Sequence, residues 1–167
     1  MNIVFVCSGN TCRSPMAEAL LRAELARRRV AGIGVSSAGL FAREGEPASA
    51  LAVAAAADCG ADVSGHRSRP ISRAIIGDST LLCVTEDIKE RVAERFGGEG
   101  VYSLSGFIGA PRDVPDPYGG SPEDYASSAR ALSDIAREIA DICAASDGRN
   151  REPAPPPHIG ASDRYLL

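Results

Sequence analysis

The N-terminal segment constrains the fold of this chain more than any other part of the sequence. The apolar run Ile3–Val6 predicts a buried strand, and Met16–Leu21 has the spacing of an amphipathic helix. Between the two, Cys7 stands at the end of the strand and Arg13 at the start of the helix. A strand that passes through a short loop into a helix is the first half of a βαβ unit, so the segment predicts a parallel sheet.

The loop itself has the composition of an anion-binding site. Gly9 allows the backbone to approach a ligand closely, and Ser14 followed by Pro15 predicts an N-cap and a first-turn proline. A loop at a helix N-terminus directs N–H groups and partial positive charge toward a bound phosphate. The alternative is an inert buried thiol, which leaves the glycine and the arginine unexplained. A thiol beneath a bound phosphate indicates phosphoryl-group chemistry.

Strand-like and helix-like segments alternate along the chain, as in α/β domains. With 167 residues, 44% of them apolar, the chain can form one domain with a proper core but not two. We therefore predict a single doubly wound domain over residues 1–145, with a four-stranded parallel sheet and helices on both faces. The predicted strands are Ile3–Val6, Ile33–Ser37, Leu81–Val84 and Val101–Ser103, and the predicted helices are Pro15–Arg28, Pro47–Cys59, Ile71–Ile76 and Glu86–Phe96.

A further helix is predicted to begin at Ser121–Asp124, where a capping serine, a proline and two acidic residues coincide. Apolar residues at intervals of three or four follow, so one face of this helix is expected to pack on the core. Residues 146–167 are rich in proline and poor in apolar residues, which predicts an extended or disordered tail.

The charge and cysteine content exclude several classes of protein. A net charge of −4 argues against a nucleic-acid partner, which requires a basic face. No segment approaches the roughly 18 apolar residues of a membrane span, and the N-terminus lacks the basic region of a signal peptide. Five cysteines without a secretory context are typical of reduced thiols, so we expect a cytoplasmic protein without a disulfide framework.

Three segments resemble one family. Residues 7–18 are similar to the phosphate-binding loop of the low-molecular-weight protein tyrosine phosphatases, and Asp113–Gly120 resembles the Asp-Pro loop of that family. Ser37–Gly39 followed by Phe41 resembles the segment that supplies an aromatic wall of the substrate cleft. The resemblance covers residues 1–145. It is closest to the bacterial branch of protein arginine phosphatases because Thr11 stands where tyrosine-directed members carry a larger aliphatic residue.

The resemblance implies a reaction through a phosphocysteine intermediate, for which three residues are the catalytic candidates. Cys7 is expected to be the nucleophile, largely ionised at neutral pH by the helix N-terminus and a nearby arginine. Arg13 would hold two phosphate oxygens in a bidentate contact. Asp116, preferred over Asp113 because it precedes Pro117, would protonate the leaving group and then activate water.

The remaining loop residues are expected to bind the substrate or support the loop. The resemblance implies that the Ser14 hydroxyl faces the Cys7 sulfur and that Asn10 braces the loop through hydrogen bonds. Phe41 is an equally good candidate for a cleft wall or a core residue. The complete set of predicted substrate-binding residues is Ser8, Gly9, Asn10, Thr11, Cys12, Ser14 and Phe41.

The remaining cysteines, the histidines and two loop arginines are not assigned to catalysis. Cys12 could form a protective disulfide with oxidised Cys7, whereas Cys59, Cys83 and Cys143 are expected to be buried packing thiols. No metal or cofactor is implied, because His66 and His158 lack ligand spacing and His66 reads as a loop hydrogen-bonding residue. Arg67 and Arg69 are either substrate contacts or solvated loop residues.

The predicted function is hydrolysis of phosphoarginine in phosphorylated protein substrates, with the oligomeric state left open. A phosphotyrosine phosphatase of the same family is the main alternative. An arsenate reductase is disfavoured because that chemistry needs two further relay cysteines, and none occurs between Val84 and Ile142. A non-catalytic anion-binding domain would be expected to have lost Cys7, Arg13 or Asp116.

Overall fold

A computed structural model of the chain describes residues 1–112 and 114–147. Four strands and six helices alternate along this part of the chain. The strands are β1 (Asn2–Cys7), β2 (Gly34–Gly39), β3 (Thr80–Cys83) and β4 (Val101–Ser103). The helices are α1 (Arg13–Arg28), α2 (Ala50–Asp58), α3 (Arg73–Ile76), α4 (Glu86–Phe96), α5 (Leu104–Ile108) and α6 (Pro122–Asp147).

The four strands form one parallel sheet in the order β2-β1-β3-β4, which confirms the predicted architecture. The central strand β1 pairs with β2 on one side, from Asn2 opposite Gly34 to Cys7 opposite Gly39, and with β3 on the other. The chain leaves β1 first toward β2 and later returns to β3, so the strand order reverses at β1. Such a switch point leaves a crevice at the carboxyl ends of the strands, where this class of sheet binds ligands.

Helices cover both faces of the sheet, and the alternation of β1 side chains shows how. Ile3 and Phe5 pack into the larger core beneath α1, α2, α5 and α6, while Val4 and Val6 pack into the smaller core beneath α3 and α4. All four side chains are at most 2% exposed. A strand buried on both faces reads as a continuous apolar run, which is the pattern of Ile3–Val6.

Several helix boundaries differ from the prediction because side chains cap the helices at other positions. Helix α2 begins at Ala50, three residues after the predicted Pro47, since the Ser49 side chain accepts the backbone N–H of Ala52. The prediction of a helix over Ile71–Ile76 is shortened to α3, which Ser72 caps. Helix α5 was not predicted, because it is a single short turn.

The last helix α6 packs against α1 and α2 and extends to Asp147. The predicted tail therefore overlaps the end of α6, and its remaining residues, 148–167, lie outside the described residues. Within the part of the chain that the structure describes, no helix is both long and apolar enough to cross a bilayer.

The Leu132 side chain, in the buried face of α6, is expected to contribute strongly to stability. Leu132 is fully buried in the larger core. The variant Leu132→Ala should lower the free energy of unfolding by about 2–5 kcal/mol, because it leaves a cavity in the core. Urea denaturation measures the difference. The control is Arg130→Ala on the exposed face of the same helix. An equally large loss of unfolding free energy in Arg130→Ala would show that the stability of α6 does not depend on the packing of Leu132 in the core.

Candidate active site

A cleft of about 410 Å³ opens at the carboxyl end of β1, above the loop that leads into α1. We call it the front cleft. Asn10 and Ser14 lie buried beneath its floor rather than in its wall. The other predicted site residues all line it, namely Cys7, Ser8, Gly9, Thr11, Cys12, Arg13, Phe41 and Asp116.

Ser14 has a different local role from the one its position in the sequence predicts. The prediction that Ser14 caps the helix is wrong, because α1 begins at Arg13 and the N-cap position is Cys12, whose side chain makes no capping hydrogen bond. Ser14 lies inside the first turn, where its side chain is directed into the molecule. Its Oγ is 2.8 Å from the Sγ of Cys7. The hydroxyl predicted to face the sulfur therefore does so.

Asn10 occupies the centre of the loop in a left-handed conformation, with φ of 55°. Asparagine tolerates this region better than other residues with a Cβ atom. Its backbone N–H donates to Cys7 Sγ at 3.2 Å, and its side-chain Nδ2 donates to Ser14 Oγ and Ser37 Oγ, both at 2.9 Å. The Asn10 side chain is completely buried. It therefore braces the loop, as the family resemblance implied.

The orientation of the Asn10 amide is set by its own acceptor. Asn10 Oδ1 accepts the backbone N–H of Arg69 at 2.9 Å, so Nδ2 must face the two serines. Ser37 in turn donates to Glu18 Oε2 at 2.6 Å. With Asn10 donating to Ser14 Oγ, the Ser14 hydroxyl proton is available for the Cys7 sulfur. A continuous set of hydrogen bonds therefore runs from Glu18 to the thiol.

The ionisation of Cys7 is governed by opposing influences. Burial is the largest, and it raises the pKa of the Cys7 thiol above its ordinary value. Hydrogen bonds from Ser14 and Asn10 and the positive charge of Arg13 act in the opposite direction and lower that pKa. The sequence predicts a largely ionised thiol, whereas in this arrangement desolvation outweighs the donors.

Arg13 forms an ion pair with Asp116, the candidate acid. The guanidinium is 6% exposed, and its Nη2 lies 2.7 Å from Asp116 Oδ2. Its Nη1 donates to the Val114 carbonyl at 3.4 Å. Asp116 itself is half exposed. The structure therefore brings together the start of α1 and the loop that precedes α6, although 103 positions separate the two residues in the sequence.

Hydrogen bonds at Pro115 and at Tyr118 hold the loop that carries Asp116, while the Asp116 side chain stays half exposed. The Ser128 hydroxyl of α6 donates to the Pro115 carbonyl at 3.0 Å. Asp116 Oδ1 accepts the backbone N–H of Tyr118 at 3.1 Å, which closes a local turn. Asp113, the less favoured acid candidate, lies outside the described residues. The structure places Asp116 in the front cleft.

The walls of the front cleft include side chains that the sequence analysis missed. Phe41 lines the cleft and is 64% exposed, so it is a wall residue rather than a core residue. Tyr118 lies in the same cleft and is 80% exposed. Arg43 and Glu46 complete the wall. The position of Tyr118 two residues after Asp116 was the available signal for it, whereas nothing in the sequence indicated Glu46.

The other residues of the loop are fixed to α2 and α6. The Thr11 carbonyl accepts the backbone N–H of Ser49 at 2.9 Å, immediately before α2. Cys12 Sγ lies 3.6 Å from Ser49 Oγ and 3.4 Å from the Tyr125 hydroxyl. Cys7 and Cys12 are both free thiols in this structure. A disulfide between them under oxidation stays a prediction.

Gly39 explains how the loop can lie so close to β2. A Cβ atom at this position would come within 2.7 Å of the Ser8 carbonyl oxygen and 2.9 Å of the Asn10 nitrogen. The backbone of Leu40 and Phe41 continues the contact by donating to the carbonyls of Cys7 and Ser8, both at 2.9 Å. Only glycine leaves room for this approach.

The predictions for the other cysteines and for His66 are partly confirmed. Cys83 and Cys143 are buried, as predicted, but Cys59 is only partly buried. His66 is a hydrogen-bonding residue, as predicted, with its Nε2 at 2.7 Å from the Asn10 carbonyl oxygen. Among the described residues, no group of three or more His, Cys, Asp or Glu side chains could hold a metal ion.

Comparison with known proteins identifies the family. A model of the family described as low molecular weight phosphotyrosine protein phosphatase matches residues 2–147. The chain is 37% identical to a protein-arginine-phosphatase of Bacillus subtilis over 144 residues, which cover 84% of this chain and 95% of the relative. It is 36% identical to the low molecular weight protein-tyrosine-phosphatase Wzb of Escherichia coli, with 83% and 92% covered.

A solved structure gives the same result. The YwlE arginine phosphatase from Geobacillus stearothermophilus matches with a TM-score of 0.82 at 34% identity, covering 90% of this chain and 97% of that chain. The chain therefore belongs to the low molecular weight phosphotyrosine protein phosphatase family, and it is a phosphoprotein phosphatase. This confirms the class predicted from residues 7–18.

The Ser14 hydroxyl is expected to control the reactivity of the thiol. Because its hydrogen bond lowers the pKa of Cys7, Ser14→Ala should raise that pKa and slow alkylation by iodoacetamide at pH 7 by roughly tenfold, the usual effect of losing one hydrogen bond to a charged group. Rates measured across a pH series give the change. The control is Ser36→Ala, outside the front cleft. Equal alkylation rates in Ser14→Ala and wild type would remove Ser14 from this role.

Proposed function

We propose that this chain hydrolyses phosphoarginine in proteins through a phosphocysteine intermediate. The observation that carries the proposal is the convergence of Cys7, Arg13 and Asp116 in one cleft whose wall contains Thr11. An activated nucleophile, a bidentate phosphate contact and an acid for the leaving group are the three requirements of this chemistry. Relatives named protein-arginine-phosphatase support the substrate class.

In the first step, Cys7 reacts as the thiolate, its thiol proton having passed to solvent, and the sulfur attacks the phosphorus atom and forms an S–P bond. The P–N bond of phosphoarginine breaks, and its electron pair goes to the guanidine nitrogen, which takes a proton from Asp116. Arg13 binds two of the three equatorial phosphoryl oxygens and follows their charge into the transition state. The positive end of α1 adds to this stabilisation, because the helix begins at Arg13 directly above the thiol.

In the second step, water hydrolyses the intermediate. The Asp116 carboxylate, now without its proton, accepts one from the attacking water, whose oxygen forms the new O–P bond. The S–P bond breaks and its electron pair returns to Cys7 as thiolate. The hydrogen bonds from Ser14 and from the Asn10 backbone N–H stabilise that thiolate as a leaving group. One residue thus serves as acid and then as base, as microscopic reversibility allows.

The ion pair between Arg13 and Asp116 couples substrate binding to the availability of the acid. A bound phosphoryl group takes the guanidinium donors that Asp116 occupies at 2.7 Å. The half-exposed carboxyl group is then released toward the leaving atom. Its loop can accommodate this movement, because Asp116 and Tyr118 are exposed while Pro115 is held by Ser128.

Phosphoarginine is favoured over phosphotyrosine by the polarity of the walls. A guanidinium is planar, polar and cationic at its far end, so it fits a wall with a small hydroxyl side chain and a nearby carboxylate. Thr11 supplies the hydroxyl, and Asp116 supplies the carboxylate. Phe41 and Tyr118 could flank an aromatic ring as well as a guanidinium plane, which keeps the phosphotyrosine activity named in other relatives as the second candidate.

The need for a reduced thiol indicates the cellular compartment of the protein. A catalytic thiol must stay reduced, and all five cysteines of the chain are free thiols in the structure, so we place the enzyme in the cytoplasm. Its substrates are phosphorylated proteins. An arsenate reductase activity is not supported, since Cys83 is fully buried in β3 and its surroundings raise its pKa to about 12.

The role of Asp116 can be tested with leaving groups of different basicity. Asp116→Asn should slow the hydrolysis of substrates with poor leaving groups by about 10²–10⁴-fold, the range of general acid catalysis, and affect good leaving groups much less. Single-turnover rates on a series of aryl phosphates measure the dependence. Asp134→Asn, on the exposed surface of α6, serves as the matched control. A uniform loss across the series would exclude Asp116 as the acid.

The substrate preference can be tested at Thr11. Wild type should have a higher kcat/KM for phosphoarginine peptides than for phosphotyrosine peptides, and Thr11→Ile should shift this ratio toward phosphotyrosine by at least about tenfold. The added methyl groups fill the polar side of the wall and remove the hydroxyl. Thr80→Ile in β3 is the control. A wild-type preference for phosphotyrosine, or an unchanged ratio in Thr11→Ile, would contradict the arginine assignment.

A further inference from the structure

A second cleft is lined by residues of α1, of β2 and of the segment 60–69. We call it the rear cleft. It has a volume of about 670 Å³ and shares no lining residue with the front cleft. Its charged and titratable lining residues are Glu18, Arg22, Asp62, His66, Arg67 and Arg69. The two arginines left open by the sequence analysis therefore belong to this cleft and not to the substrate cleft.

Arg67 and Arg69 have unused capacity to bind an anion. Arg67 is exposed, and its side chain donates to the carbonyl of its neighbour His66 at 2.7 Å. The Arg69 side chain donates from Nε to the Ser37 carbonyl at 2.9 Å. Within residues 1–112 and 114–147, neither guanidinium forms a salt bridge. Each therefore presents further N–H donors and an uncompensated positive charge.

The acidic residues of the rear cleft are already partnered. Glu18 forms a salt bridge with Arg22 at 2.9 Å and also accepts the Ser37 hydroxyl. Asp62 accepts the backbone N–H of Ser64 at 2.8 Å, and hydrogen bonds from the side chain and then from the backbone of Ser64 lower the pKa of the Asp62 carboxyl group. Three arginines face two carboxylates, so the cleft keeps a positive charge even with His66 neutral. The positive charge is concentrated at the end formed by residues 66–69.

We propose that the rear cleft binds a small phosphate monoester. Two guanidinium groups a single residue apart in the sequence provide the charge-assisted, bidentate contacts that a phosphate group favours. A free phosphate ion would fill only a small part of a cleft of this volume. The remaining space is also lined by Glu18 and Asp62, whose carboxylates keep acceptor positions beyond the hydrogen bonds that they already accept. The ligand is therefore a phosphate carried by a hydroxyl-bearing body, as in a sugar phosphate or a nucleoside monophosphate.

Occupancy of the rear cleft would act directly on the catalytic loop. His66 and Arg69, which line this cleft, are the residues that hold Asn10 through its carbonyl oxygen and its Oδ1, at 2.7 and 2.9 Å. Asn10 in turn donates to the Cys7 sulfur. Two hydrogen bonds therefore separate Arg69, which would bind the anion, from the Cys7 sulfur. A ligand on residues 66–69 would restrain the segment that positions Asn10.

The test follows the ring resonances of His66, which is one of only two histidines in the chain. Ribose 5-phosphate, adenosine monophosphate, inorganic phosphate and ribose are titrated separately into the full-length protein. Both monoesters are expected to shift the His66 signals in a saturable manner, while ribose leaves them unchanged. Inorganic phosphate should bind about tenfold more weakly than either monoester, since it lacks the contacts of the ligand body.

Two arginine variants separate the clefts. Arg67→Gln should raise the Kd of the monoesters by about tenfold, the usual cost of one charge-assisted hydrogen bond, and keep wild-type turnover, because Arg67 does not line the front cleft. Arg13→Gln weakens phosphate binding in the front cleft and should leave the His66 shift intact. Arg73→Gln, on α3, controls for loss of surface charge.

Three experimental results would contradict the proposal that the rear cleft binds a phosphate monoester. A His66 shift that disappears in Arg13→Gln and survives in Arg67→Gln would assign the binding to the front cleft and overturn it. The same holds if no monoester shifts His66. Equal affinity for inorganic phosphate and for the monoesters would overturn the assignment of the ligand body. None of these outcomes depends on whether the enzyme prefers phosphoarginine, which is measured separately by turnover.

Discussion

The hydrogen bonds of Asn10 are the interaction on which the rest of the site depends. This one buried residue contacts Cys7, Ser14 and Ser37 directly, and it receives its orientation from Arg69. It thereby joins β1, α1, β2 and the segment before α3. A buried amide that loses its partners costs free energy comparable to several ordinary contacts. The geometry around the thiol is therefore well determined, because every polar atom of Asn10 is satisfied in this one arrangement.

The position of β1 explains why so many elements can meet at the thiol. As a central strand of the parallel sheet, it places Cys7 beside Gly39 of β2 and next to the carboxyl end of β3. The absence of a side chain at Gly39 brings the loop and β2 within contact distance. From the other side, Arg13 binds the loop before α6 through Asp116. The proposed nucleophile Cys7, the proposed phosphate-binding Arg13 and the proposed acid Asp116 thus come from β1, from α1 and from the loop before α6.

The front and rear clefts differ in what they can recognise. The front cleft has aromatic walls, Phe41 and Tyr118, around a thiol and an arginine whose charge is shared with a carboxylate. It suits a phosphoryl group attached to a planar side chain. The rear cleft has no aromatic residue and has two arginines without a carboxylate partner in the described structure. Asn10 connects the two clefts, because it contacts Cys7 of the front cleft and both His66 and Arg69 of the rear cleft.

The sequence by itself determined the sheet, the two-sided core and the chemistry of residues 7–18, because these depend on local apolar runs and on residues close together in the chain. It could not determine that Ser14 is an interior residue instead of a cap, since helix α1 starts at Arg13, two residues before the predicted Pro15. Nor could it place Glu46 in the front cleft or Arg67 and Arg69 in the rear one. Those positions result from loops of distant segments that pack around β1, and such long-range contacts leave no periodic signal in the sequence.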